Sequence, residues 1–180
     1  MTRSIESIPN STHPEIRIRP ATIHDMQMVV EFNTALARET EGKQLEVSRL
    51  HQGVKALFNN PQHGFYLVAE EGSSSNVIGQ LLITYEWSDW RNGVFWWLQS
   101  VYVQESWRRR GVFRMLYDYV LAEARSRKTV VGVRLYVETQ NRLAQQVYQE
   151  MGLLPAGYDV YELDFILPQP PEKTPNQVRK

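Results

Sequence analysis

The chain holds no cysteine in 180 residues, which removes disulfides, thiolate metal sites and cysteine nucleophiles together and fits a reducing compartment. Histidine is scarce as well: His13, His24, His51 and His63 stand far apart without ligand-like spacing, so no metal site is expected. Net charge is also missing, twenty Lys+Arg against twenty Asp+Glu giving +0, so no long-range field holds the molecule on nucleic acid or an anionic membrane. No apolar run reaches the roughly 20 residues that cross a bilayer. The opening MTRSIESIPNSTHPE lacks the apolar stretch of a secretory signal. A soluble, cytoplasmic protein is expected.

What is present has the make-up of one globular domain: 42% hydrophobic and 22% charged residues, in a chain long enough to bury a sizeable core. Residues 1–14 are polar, and residues 168–180 carry four of the nine prolines among charged residues. Neither end can bury much. Both are expected to be flexible tails around a domain at 15–167.

Within that domain the hydrophobic period switches repeatedly between 2 and 3.6. Ile16 to Arg19 alternates like a strand, and Thr22 with Asp25 has capping-box spacing before a helical stripe of Met26, Val29, Val30, Asn33 and Leu36. Val47, Leu50, Val54, Leu57 and Phe58 stripe a second helix that Asn59-Asn60-Pro61 should stop. Three strands are expected next, at Phe65 to Ala69, Val77 to Glu86 and Val94 to Val103. The last of these, FWWLQSVYV, is apolar on both alternating faces, with Phe95, Trp97 and Val101 on one and Trp96, Leu98 and Tyr102 on the other. Such a strand belongs at the centre of a sheet covered on both sides. A helix through Val112, Leu116 and Val120, a strand at Val133 to Val137, a helix through Ala144 and Tyr148, and a closing strand at Tyr158 to Ile166 complete the order β-α-α-β-β-β-α-β-α-β.

The segment Trp107-Arg108-Arg109-Arg110-Gly111-Val112-Phe113-Arg114 joins the central strand directly to an amphipathic helix. A helix start presents backbone N–H groups without intrahelical partners and a positive dipole end, glycine allows close backbone approach, and the arginines add charge. A diphosphate suits such a junction. Taken alone, an RRRG run is equally a solvated turn. In context it resembles the GNAT superfamily of N-acetyltransferases, whose signature is Arg/Gln-x-x-Gly-x-Gly/Ala between a central strand and a helix. Arg108-x-x-Gly111 matches, with Phe113 where a small residue is usual, and Asn141, Ala144, Tyr148 and Gly152 match the family's Asn-x-x-Ala-x-x-x-Tyr-x-x-x-Gly helix. The middle of the chain is most similar to the diamine (spermidine/spermine-type) acetyltransferases, in FYLVAE, VIGQLLITYEW, WWLQSVYV and the polar stretch ALARETEGKQL.

The resemblance implies an α/β fold, a GNAT-like mixed sheet of about seven strands flanked by four helices, and an acyltransferase with acetyl-CoA as co-substrate. Its diphosphate would lie on the amides and side chains of Arg108, Arg109, Arg110, Gly111, Val112, Phe113 and Arg114. Its amide-containing arm would pair with Val101, Tyr102 and Val103 like an added strand, with Asn141 contacting the arm. Tyr148 would be the general acid for the departing thiolate, although a tyrosine at that spacing is also an ordinary core residue. Gln99 takes the position of a glutamate that diamine acetyltransferases carry, and cannot accept a proton as a carboxylate would. Base duty is left to Glu39, Glu41 or Glu86, to a water chain, or to free amine from solution. Glu39, Glu41 and Glu86, with Asp89, could form an acidic mouth for a cationic amine, or be plain solvated surface. The expected reaction is direct attack of a small primary amine on the thioester. Acetylation of a protein N-terminus or lysine, a non-catalytic CoA-binding regulator, and a phospholigand module using the arginines are the alternatives. Five tryptophans in one domain suggest a large buried face and a homodimer.

Overall fold

The computed structural model describes residues 15–72 and 74–166. Both expected tails lie outside these residues. The described chain forms two compact units, divided between Glu138 and Thr139.

The first unit is a five-stranded sheet in the order β1-β2-β3-β4-β5, with β1 Ile16–Pro20, β2 Gly64–Glu71, β3 Val77–Ser88, β4 Gly93–Val103 and β5 Val130–Leu135. The first four strands pair antiparallel and β5 joins β4 in parallel. Three helices serve this sheet: α1 (Met26–Glu41), α2 (Val47–Asn59) and α3 (Val112–Ser126). Helices α1 and α2 pack Val29, Val30 and Val54 onto Tyr66 and Leu82, which fixes one face of the sheet as theirs.

Thr22 and Asp25 do form a capping box, the Asp25 carboxylate accepting the Thr22 N–H at 2.7 Å. The box opens a short 3-10 turn at Ile23–Asp25 that runs into α1. Arg19 on β1 grips Asp25 with two bonds of 2.8 and 2.9 Å and reaches Glu70 on β2 at 2.5 Å. The guanidinium beside it holds the nearly buried Asp25 carboxyl below its ordinary value.

The second unit contains α4 (Arg142–Glu150), which ends at Met151 with Gly152 at φ +87°. The expected strand at Tyr158 to Ile166 does not form. The five strands of the described residues replace the expected seven, and the described chain after Gly152 takes no regular structure, with Tyr161 and Phe165 94% and 87% exposed. Period-two alternation marks a chain that is able to pair, whereas a strand needs a ladder partner, and none of the described strands takes that place.

Candidate functional site

Strand β4 changes character halfway along. From Val94 to Leu98 it is paired on both sides, with β3 and with Val130 to Leu135 of β5. Beyond Leu98, among the described residues, only β3 accompanies it. The expectation of a central place in the sheet therefore holds for the first half alone. The Gln104 N–H bonds Ile78 O at 2.9 Å, and because antiparallel ladders alternate, the N–H and C=O of Val103 turn away from β3 toward the side that β5 does not reach.

The change coincides with a bulge. Gln80 faces Tyr102 and Leu82 faces Gln99, so two residues, Ser100 and Val101, oppose the single Leu81. Ser100 sits at φ +46°, a conformation that costs a non-glycine residue about 1–3 kcal/mol unless its surroundings hold it. A buried string of side chains does so: the Gln80 amide donates to Asn33 Oδ1 at 2.8 Å and to the Ser100 carbonyl at 3.3 Å, and Asn33 donates to the Tyr66 hydroxyl at 3.0 Å. Burial raises the Tyr66 phenol above its ordinary value. Gln80 is wholly buried and its Oε1 has no partner among the described residues.

The bulge also corrects the expected faces of β4. Gln80, Leu82 and Thr84 share the α1 side of β3, so their partners Tyr102, Gln99 and Trp97 share it too. Tyr102 accordingly packs on Phe32 of α1, ring centroids 5.0 Å apart, and does not join Trp96 and Leu98 on the opposite face.

After β4 the chain turns through a 3-10 segment at Glu105–Trp107, with Arg109 at φ +60° and Gly111 at φ +80°. Gly111 is the residue before α3, no side chain caps that helix, and its first helical bond is Met115 N–H to Gly111 O. The amides of Val112 and Arg114 thus lie ahead of the helical ladder. Nothing stands within 4 Å of where a Gly111 Cβ would be, so the approach to these amides is open. Gly79 seats the helix start: a Cβ there would come within 3.1 Å of Tyr102 O and 3.3 Å of Val112 Cγ1. Phe113 lays its ring against Tyr117 one turn along, centroids 6.2 Å apart. Arg109, Arg110 and Arg114 are exposed, and Arg110 lies over the Trp107 ring at 5.2 Å. Open space, amides at a positive dipole end and exposed arginines fit a diphosphate.

Arg108 is different. Its Nε donates to Val103 O at 2.9 Å, its Nη2 reaches Glu39 at 2.5 Å, and its guanidinium lies 5.5 Å over the Tyr102 ring. Glu39 also accepts the Tyr102 hydroxyl at 3.0 Å. The adjacent guanidinium holds the Glu39 carboxyl below its ordinary value, while burial and then Glu39 raise the Tyr102 phenol.

The other two expected glutamates are also paired with cations. Glu41 meets Lys43 at 2.6 Å. Glu86 accepts from Arg134 Nη1 at 2.6 Å and from the Trp97 indole. Arg134 covers the Phe95 ring at 3.8 Å, and Tyr136 stacks on Trp97 at 4.3 Å. Between these clusters, on the same face, Gln99 donates to the Thr84 hydroxyl at 2.7 Å. Asp89 accepts the Trp90 N–H in the β3–β4 turn. Of the tryptophans, Trp96 is buried under Arg127, whereas Trp87 and Trp90 are exposed. Sequence reasoning passed over Asn33, Gln80, Ser100 and Arg134 as site residues; the available signal was a polar residue inside each of two apolar patterns, Val29-Val30-Asn33 and VIGQLLI.

In the second unit Asn141 caps α4, its Oδ1 accepting the Ala144 N–H at 3.1 Å. Tyr148 is half-buried, and burial raises its phenol above the ordinary value. A neutral hydroxyl across the neutral pH range follows.

Comparison with known proteins agrees with this geometry. The sequence profile of the Acetyltransferase (GNAT) family matches residues 30–153. A possible acetyltransferase from Clostridium difficile 630 is 41% identical, with a TM-score of 0.78 over 84% of this chain and 99% of that one. A predicted acetyltransferase from Clostridium acetobutylicum, solved with acetyl-CoA, has 18% identity and a TM-score of 0.67, covering 83% of this chain and 96% of that one. A ribosomal-protein-alanine N-acetyltransferase from Brucella melitensis biovar Abortus 2308 has 14% identity and a TM-score of 0.67, covering 84% of this chain and 99% of that one. The last two share the fold. No curated protein matches the sequence. Among the described residues no helix is long and apolar enough to cross a membrane. With a family profile spanning most of the chain and a 41% identical structure over nearly the whole fold, the chain belongs to the GNAT family of acetyltransferases.

Proposed function

We propose that the protein is a cytoplasmic, homodimeric N-acetyltransferase that transfers the acetyl group of acetyl-CoA to the primary amine of a small molecule by direct attack. The observation that carries this reading is continuity: the open half of β4 leads, through one short 3-10 turn, into the arginine-rich loop and the uncapped start of α3. An amide-containing arm pairs with the Val101 to Val103 segment, and a diphosphate is held by the amides of Gly111 to Arg114 with Arg109, Arg110 and Arg114. Bound there, acetyl-CoA supplies an activated acyl carbon and a thiolate leaving group.

Gln99 gives the amine its orientation. With its amide N–H committed to Thr84, its carbonyl oxygen is the end left to accept an N–H from the acceptor. Glu39, Glu41 and Glu86 each already have a cation partner, which favours a single amine over a polyamine and favours an acceptor that arrives as the neutral base. Tyr148 holds the proton for the thiolate: a phenol kept neutral by burial serves as an acid at neutral pH. Asn141, which caps α4, contacts the arm.

The test is release of free CoA from acetyl-CoA by the purified protein across monoamines, polyamines, amino acids and lysine peptides. Turnover on one small monoamine, with log(kcat/KM) rising to a plateau at that amine's own pKa, is the expected result. A plateau fixed at one pH for acceptors of different basicity would reveal an enzyme base and overturn the neutral-amine step. Turnover on peptides alone would overturn the small-molecule assignment.

A further inference from the structure

We infer that Glu39, Arg108 and Tyr102 form a strut that ties the diphosphate loop to the end of α1, with Arg108 acting as a positioning residue for the loop and not as a phosphate ligand. The inference rests on the reading of residues 108–114 as the cofactor loop. It differs from that reading in the role of one arginine and in what the loop is connected to.

Arg108 is set apart from its neighbours by its partners. Arg109 and Arg114 are in no ion pair among the described residues, and Arg110 lies only over a tryptophan ring. Arg108 instead spends both ends of its guanidinium within the protein, Nε on the Val103 carbonyl and Nη2 on Glu39, 69 residues earlier in the chain. The two contacts join three elements at one point: β4, the loop and α1.

Helix α1 in turn holds Tyr102 at two places two turns apart on one face, the ring by Phe32 and the hydroxyl by Glu39. Val103 presents its carbonyl to the open edge, so the Arg108 bond closes the far end of that edge and sets where a paired arm must stop. Glu39 lies in the last turn of α1, three residues before Gly42 ends it at φ +64°. Beyond Gly42 runs the connection from α1 to α2. A load placed on the loop is therefore passed through Arg108 and Glu39 to residues 42–46, on the face that carries Gln99 and Thr84.

An alternative assignment, Arg108 as a phosphate ligand restrained by Glu39, makes the opposite prediction for the carboxylate. If Glu39 merely competed with phosphate, its removal would free Arg108 and tighten binding. If the two act as a strut, its removal loosens the loop and weakens binding.

The experiment uses CoA as the probe on the full chain, with Glu39→Gln, Arg108→Gln, the double variant and Tyr102→Phe. CoA affinity is measured by calorimetry at several salt concentrations, and amide hydrogen exchange of residues 36–46 is followed with and without CoA. Each single charge variant is expected to weaken CoA about two- to fivefold, the range of a part-exposed pair. The double should be no weaker than either single, and the slope of log Kd against log salt should stay unchanged in Arg108→Gln. CoA should protect residues 36–46 in the wild type and cease to do so in the charge variants, with Tyr102→Phe shifted less in the same direction. Tighter binding by Glu39→Gln, a reduced salt slope in Arg108→Gln, or protection that persists in the variants would overturn the strut. A wild-type protein that binds no CoA would overturn the cofactor-loop reading and the strut with it.

Discussion

The two halves of β4 belong to one continuous strand and meet opposite fates. Val94 to Leu98 lies between two strands, with Phe95, Trp96 and Leu98 buried; among the described residues Gln99 to Val103 keeps one neighbour strand and only part-buried side chains. The first half is core, and the second has one ladder edge that β5 does not reach. The boundary falls between adjacent residues, Leu98 and Gln99, just before the bulge at Ser100 and Val101.

The division can be tested from both sides. The largest effect is expected where the open half ends: Gly111→Asp places a carboxylate beside the proposed diphosphate and should cost about 100-fold in CoA affinity, while the φ +80° strain lowers stability by about 1–3 kcal/mol and leaves the protein folded. Leu98→Ala, in the closed half, should do the reverse and lower stability by about 2–5 kcal/mol in denaturant titration while CoA affinity of the folded protein stays within about twofold. Gln80→Leu should lower stability by about 1–3 kcal/mol, because it strands the Asn33 Oδ1 and releases the Ser100 carbonyl. If the bulge is held by that string, Gln80→Leu also slows turnover, and Gly at position 100 recovers part of it. Unchanged kinetics in Gln80→Leu would show that the bulge holds itself.

The smallest effect concerns Glu39. Its carboxyl is held below the ordinary value by Arg108, so the pair's contribution is complete above the ordinary carboxylate pKa of about 4.3 and is lost as pH falls through the lower folded value. The difference in CoA affinity between wild type and Glu39→Gln should accordingly be constant from neutral pH down to that range and then close.

Much of this was legible in the sequence because it is local. The Thr22–Asp25 box, the stripe of Val29, Val30 and Asn33, and the glycine before α3 each act within a few residues. The bulge was not legible, because Val101 and Tyr102 are both apolar and only the partner strand reveals that two residues face one. The pairings of Glu39 with Arg108 and of Glu86 with Arg134 were hidden for the same reason, since they span 69 and 48 residues. Tyr158 to Ile166 carried a sound strand pattern, but among the described residues no strand pairs with it.

The open half of β4 has a consequence beyond binding. A ladder without a neighbour is a template on which another chain can pair, and unprotected edges of this kind seed aggregation. Here the edge is short, its last carbonyl is occupied by Arg108, and the charges of Arg109 and Arg110 follow at once. The residues proposed to receive a ligand double as gatekeepers of solubility. Substitutions that neutralise them are therefore expected to add precipitation on storage to the loss of CoA affinity.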